Sequence, residues 1–128
     1  MYLIDTNILI YFFDGKMTEA QKIVTYRILK ASFTISVITK IEFLGFKEYM
    51  DESAGQKAKE FISNATVLQL SDLIIDKTIA LKQQGRVKLA DAIIAATSLE
   101  YGLTLVTRNT DDFKRLPVHL LNPFLQNL

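Results

Sequence analysis

The sequence predicts an α/β fold in three layers, with a central parallel sheet of about five strands covered by helices on both faces. Three observations predict it. Short β-rich runs alternate with longer segments of helical periodicity along the whole chain. Those longer segments carry apolar residues at three- and four-residue spacing with charges on other faces. One segment, Ala90 to Leu99, is apolar except for Asp91, Thr97 and Ser98, so its helix must be enclosed on nearly all sides. Strands joined through helices require right-handed crossovers onto a parallel sheet, which is stable only when both faces are covered.

Taken in order, Tyr2-Leu3-Ile4 reads as a strand halted by Asp5-Thr6-Asn7, any of which can cap the short helix over 8–13. Asp14-Gly15 ends that helix. Ala20, Ile23, Val24, Ile28 and Ala31 predict a helix over 18–31, and Phe33 to Ser36 alternates as a strand. Helical spacing resumes over 37–49 and again over 54–64, followed by a strand at 66–70. Ser71 caps a helix over 72–84 that Gly85 closes. The apolar helix then runs to Gly102, a β-rich stretch covers 103–107, a short helix starts near Thr110, and 118–121 makes the final strand.

The chain has 128 residues, 49% hydrophobic and 23% charged, enough to enclose the core of a single domain spanning 1–128. No repeat, low-complexity tract or linker marks a boundary inside it. With no cysteine, disulfides, thiolate metal sites and cysteine nucleophiles are excluded, and the composition fits a reducing, cytoplasmic setting. MYLIDTNILIYFFDG lacks a positive leading region and carries Asp5 inside its apolar run, so it reads as neither signal peptide nor membrane span. The net charge of +1 announces no nucleic-acid partner by itself. Setting aside four clustered acids, however, leaves ten acids against fifteen basic residues, a modestly basic rim around an acidic hole.

In parallel sheets ligands bind beyond the carboxyl ends of the strands, where strand order reverses. Asp5 follows the first strand, Glu42 lies in the helix after the second, Asp91 opens the helix before the fourth, and Asp111 and Asp112 follow the fourth. Each has a structural explanation of its own. Asp5 can cap a helix, and Asp111 or Asp112 can do the same. Asp91 can interact with a helix macrodipole for roughly 0.3 to 1 kcal/mol. Glu42, placed on a helical face with Ile38, Gly45, Phe46 and Tyr49, is expected among apolar neighbours and in need of an internal partner. As a set they point elsewhere. Carboxylates are hard ligands for Mg²⁺ or Mn²⁺, and several converging in a small space repel one another unless cations compensate. A phosphate-bearing substrate suits such a site, because Mg²⁺ held by few carboxylates keeps positions for it.

Other chemistries lack their residues. The one histidine, His119, sits inside the last strand without a G-x-S-x-G elbow elsewhere, and the five glycines form no phosphate-cradling loop. Arg86, Lys88 and Arg108 flank the acids and could contact phosphates, or serve as ordinary solvated charges. Phe12, Phe13, Phe43 and Phe46 are open to either partner contact or core.

YLIDTNILI, Glu42 within TKIEFLG, the long block KLADAIIAATSLEYGLTLVTRNTDDF and VHLLNPF together resemble the PIN-domain nucleases, in particular the VapC-like toxins of prokaryotic toxin-antitoxin pairs. The resemblance covers nearly the whole chain, and the long block carries most of its specificity. It implies Mg²⁺- or Mn²⁺-dependent hydrolysis of RNA phosphodiester bonds, with Asp5, Glu42, Asp91 and Asp112 at the four acidic positions. Asp112 is preferred to Asp111 because the family's acid directly precedes the Phe. Asn7, Thr107 and Asn109 match polar positions that support the acids. A cognate antitoxin and a homodimer are the partners implied, with no membrane association. The competing reading is a non-catalytic module of the same fold that binds RNA or protein. A receiver domain or a haloacid-dehalogenase-like phosphatase fits less well: Leu70-Ser71 stands where the former needs an acid, and Asn7 where the latter does.

Overall fold

A computed structural model describes residues 1–125; the last three residues of the expected domain, 126–128, lie outside the described residues. Its five strands are β1 (Tyr2–Ile4), β2 (Thr34–Ser36), β3 (Thr66–Leu68), β4 (Thr104–Val106) and β5 (Leu120–Leu121). The helices are α1 (Thr6–Phe13), α2 (Glu19–Ala31), α3 (Val37–Leu44), α4 (Glu52–Ile62), α5 (Asp72–Gln84) and α6 (Leu89–Tyr101). Single 3-10 turns occupy Lys47–Tyr49, Thr110–Asp112 and Pro123–Leu125. All pairings are parallel, as the alternation of strands and helices requires.

Hydrogen bonding divides the strands into β1-β4-β5 and β2-β3. β1 and β2 still run side by side, and Ser32 explains the interruption between them. Its Oγ accepts from Tyr2 N (3.3 Å) and donates to Tyr2 O (3.2 Å), so a side chain takes the backbone groups that a ladder would use. β1 thus has β4 on one flank and β2 on the other, and the strand order reverses beside it. Asp5 N continues the β1–β4 ladder by bonding Val106 O at 2.9 Å, which brings the ends of these two strands together at the reversal.

The helix starts follow local chemistry. Asp5 caps α1, Thr18 and Gln21 form a reciprocal capping box on α2, Ser36 caps α3, Asp51 caps α4 and Ser71 caps α5. α6 lacks a side-chain cap, and its Lys88 amino end is open. Seven consecutive residues of α6, Ala92 to Ser98, are buried, as its composition demands. Its two buried hydroxyls are satisfied locally: Thr97 Oγ1 donates to Ile93 O (2.7 Å) and Ser98 Oγ to Leu103 O. Gly102 stops it in the left-handed conformation, with φ of 63°.

The helix expected over 37–49 ends earlier, at Leu44. Gly45 N bonds back to Ile41 O (2.9 Å), and Phe46 turns extended before the Lys47–Tyr49 turn. A Cβ at Gly45 would stand 2.8 Å from Ile41 O, so this tight exit needs glycine. The break sends Tyr49 into an aromatic cluster with Phe13, Phe43 and Phe46, ring centroids 5.1 to 5.3 Å apart for the three Tyr49 pairs. Phe43 is wholly buried, while Phe12, Phe13 and Phe46 are partly buried against this half of the core. The other half, beneath α5 and α6, is mainly aliphatic and includes Leu3, Ile74, Leu81, Ile94 and Leu105. Each such side chain contributes about 1.5–3 kcal/mol through removal from water, so the carboxyl ends of β1 and β4 rest on a rigid base.

Candidate functional site

The site is assembled from four chain segments that meet where strand order reverses. Asp5 is the residue at which β1 becomes α1. Its Oδ1 accepts from Thr6 N (2.8 Å), and its Oδ2 accepts from Asn7 Nδ2 (2.9 Å) and from Thr107 Oγ1 (2.7 Å). Only 5% of Asp5 is exposed. Burial raises its carboxyl above the usual range, a tendency that Glu42 reinforces and the three hydrogen bonds oppose. Thus the cap expected of this residue and its inward placement are one geometry.

Asn7 and Thr107 act as a frame around Asp5. Thr107 is fully buried at the end of β4; its hydroxyl also accepts from Asn109 N (3.0 Å) and Asn7 Nδ2 (3.4 Å). Asn7 Oδ1 accepts from Arg108 N at 3.1 Å. A single polar network therefore locks the α1 start to the β4 exit, and it holds the Asp5 carboxylate in one orientation. Asn109 joins this network through its backbone amide.

Asp91 stands in the first turn of α6, half-buried. Its carboxyl is pushed up to about 6, first by burial and then by the charges of Asp5, Asp112 and Glu42, with Lys88 opposing. The charges that act on Asp91 are thus those of Asp5, Asp112 and Glu42. Asp111, the neighbour in sequence, turns to solvent and pairs with Lys114 at 3.8 Å. Asp112 is exposed as well and lines the same cavity as Asp111, but its charge is the one that acts on Asp91.

Glu42 corrects an expectation. It is exposed rather than set among apolar neighbours, because α3 buries the face defined by Thr39 and Phe43. Its Oε1 accepts from Thr6 Oγ1 at 2.6 Å, and that hydroxyl couples α3 to the start of α1. Thr6 was visible in the sequence only as one of three possible caps, and its role as a donor to Glu42 depends on a pairing 36 residues apart.

Arg108 takes a different course from the other flanking cations. Its guanidinium lies 4.8 Å from the Tyr11 ring centre and 4.9 Å from that of Phe124, and it donates to Tyr11 Oη. Arg86 and Lys88 instead line a cavity beside Asp91 and Asp112, joined there by Lys114 and Arg115. The last two stand in the sequence as a basic pair just past Asp111-Asp112-Phe113.

None of the four acids forms an ion pair with lysine or arginine among the described residues. Nor do three acidic or histidine side chains among them already close into a ligand cluster. The arrangement is an open set of oxygen donors carrying mutual repulsion, and it fits a hard divalent cation. Mg²⁺ needs only one or two carboxylates and retains waters for its other positions. No helix among the described residues is long and apolar enough to cross a membrane.

Fold and site together define a parallel α/β protein with acidic residues gathered towards its point of strand reversal. The chain belongs to the PIN domain family, whose model matches residues 2–118. It is similar over 96% of its length to 98% of a chain in a toxin-antitoxin complex from Klebsiella pneumoniae, with 34% identity and a TM-score of 0.76. VapBC2 from Rickettsia felis, bound to a DNA fragment from its promoter, matches with 23% identity and a TM-score of 0.78 over 94% of this chain and 97% of that one. VapBC-1 from nontypeable Haemophilus influenzae matches with 24% identity and a TM-score of 0.75, over 95% and 97% respectively. No curated protein matches the chain.

Proposed function

We propose that the chain is a Mg²⁺- or Mn²⁺-dependent endoribonuclease and the toxin of a toxin-antitoxin pair. The observation that carries this reading is that Asp91 stands under the charges of Asp5, Asp112 and Glu42 while none of the four acids is paired with lysine or arginine among the described residues. A structural ion-pair network would contain the opposite charge; this set leaves it to be supplied by a bound cation.

Asp5 and Asp91 are the principal ligands, being the most deeply held of the four. Asn7 and Thr107 keep the Asp5 oxygens aimed at the site before substrate arrives, so little reorganisation accompanies binding. Glu42, exposed and fixed through Thr6, receives or orients the attacking water on the substrate side. Asp112 completes the donor set opposite Asp91. The cation, when bound, supplies the Lewis acidity that eases deprotonation of water and answers charge developing on the phosphate. Arg108 has its guanidinium engaged by two rings and is a positioning residue here, holding the β4 exit against α1.

Similarity to a chain of the Klebsiella toxin-antitoxin complex supports an antitoxin protein as partner; an RNA substrate, a homodimeric assembly and a cytoplasmic setting belong to the same proposal. The direct test is incubation of the purified chain with RNA and Mn²⁺. Products that vanish with chelator and with Asp91→Asn support the reading, and absence of metal-dependent products favours a non-catalytic binding module.

A further inference from the structure

Between the α5–α6 connection and the segment after β4 lies a cavity of about 480 Å³. Asp91 and Asp112 belong to its wall, so whatever fills it abuts the acidic site. Asp111 also stands in the wall, but it is paired with Lys114, and the remaining charges are cationic: Arg86, Lys88 and Arg115, over an apolar floor that includes Leu81 and Leu116. None of these three is ion-paired among the described residues. The basic surface continues beyond the cavity into a second, shallower depression shared by Arg86 and Lys88 and reaching Lys82.

We propose that this cavity is the subsite for the nucleotide adjoining the scissile phosphate, its backbone phosphate being held by Arg86 and Arg115 with support from Lys88 and Lys114. The proposal rests on the ribonuclease reading and gives the bound strand a direction, from the acids through the cavity and out past Arg86. Its volume falls in the range that encloses a small organic ligand, which suits one nucleotide and excludes a duplex. No aromatic side chain lines it, so the base meets aliphatic surface and the subsite is tolerant of sequence. An acidic peptide fits less well, because its carboxylates would meet Asp91 and Asp112 without the divalent cation that accompanies a phosphodiester.

The test is fluorescence anisotropy of labelled decauridylate in Mg²⁺ as salt is varied, using the full chain with Asp5→Asn to prevent cutting, alone and combined with Arg86→Ala/Arg115→Ala. Both arginines are exposed, and thermal melting confirms that the variants fold. Two lost phosphate contacts weaken binding about tenfold and reduce the slope of log affinity against log salt by about 1.4, at about 0.7 per contact. Lys57→Ala/Lys59→Ala on α4 removes the same charge away from the cavity and leaves the slope unchanged. An unchanged slope in the arginine variant, an equal change in the lysine variant, or capture of polyglutamate in place of RNA overturns the subsite. Cleavage of RNA by the wild-type chain in those cases leaves the ribonuclease reading standing. If the wild type neither binds nor cuts RNA in Mn²⁺, both fall.

Discussion

The two ends of α1 each carry an aspartate, and their surroundings differ. Asp14 caps the carboxyl end, where the helix macrodipole disfavours an anion. The protein answers it locally: Tyr49 Oη donates to Oδ1 at 2.9 Å, and Lys16 Nζ stands 3.9 Å from Oδ2. That longer distance is an ion pair and no hydrogen bond, which leaves Oδ2 without a hydrogen-bond donor. Asp5 holds the amino end, where the dipole favours it, and it accepts three hydrogen bonds, all from neutral groups. Yet Glu42 raises it further, and its own charge acts on Asp91. A carboxylate with a built-in cation belongs to the structure, whereas one surrounded by its own kind is a binding group held ready. The Tyr49 hydroxyl, raised by burial and by Asp14, remains a donor throughout the physiological range.

The largest expected contrast is in activity. Asp5→Asn retains a good helix cap and the fold, yet it lowers metal-dependent RNA cleavage by about 10²-fold or more, as loss of a principal electrostatic group does. Asp14→Asn leaves cleavage within about threefold. A gel assay with Mn²⁺ compares them directly, and equal losses would erase the distinction between the two ends.

Stability should move in the opposite sense. Tyr49→Phe removes the donor to a buried Asp14 and costs about 1–3 kcal/mol in urea unfolding. Asp91→Asn instead stabilises the metal-free protein at pH 7. The folded pKa of about 6 lies above the ordinary 3.8, so between these values the folded state keeps a proton that the unfolded chain has released. Stability from this group is therefore present below pH 3.8 and declines as pH rises through 6. For a half-exposed carboxyl the gain from Asp91→Asn is about 1 kcal/mol after solvent screening, and it shrinks on acidification. A gain that grew on lowering the pH would contradict the repulsion.

The smallest effect concerns the frame. Thr107→Val preserves shape but removes one donor to Asp5, costing about 1 kcal/mol and slowing cleavage roughly tenfold. Loss of stability with unchanged cleavage kinetics would show that the network around Asp5 serves folding alone.

Much of this was legible in the chain. Asp5 directly follows β1 and Asp91 opens α6, positions that a parallel fold carries to one end, and the apolar run of α6 places Asp91 beside the core. The burial of Glu42 was misread because helical spacing shows which residues share a face, without showing which face turns inward. Phe43 and Thr39 decide that through packing that exists only in the folded state. The early end of α3 depends on the close approach of Gly45 to Ile41, and the division of strand pairing on Ser32 taking both backbone groups of Tyr2. Arg108 stood open between phosphate contact and solvated charge because charge is local in sequence, while the two rings beside its guanidinium come from positions 11 and 124.

The central claim is that the acidic site awaits a cation which the chain does not itself supply. Urea unfolding of the wild type and of Asp91→Asn at pH 7, each with and without Mn²⁺, tests it most directly. The account predicts that the variant is the more stable protein without metal and that Mn²⁺ stabilises only the wild type, reversing their order. A variant less stable without metal, or one that gains as much from Mn²⁺ as the wild type, would contradict it.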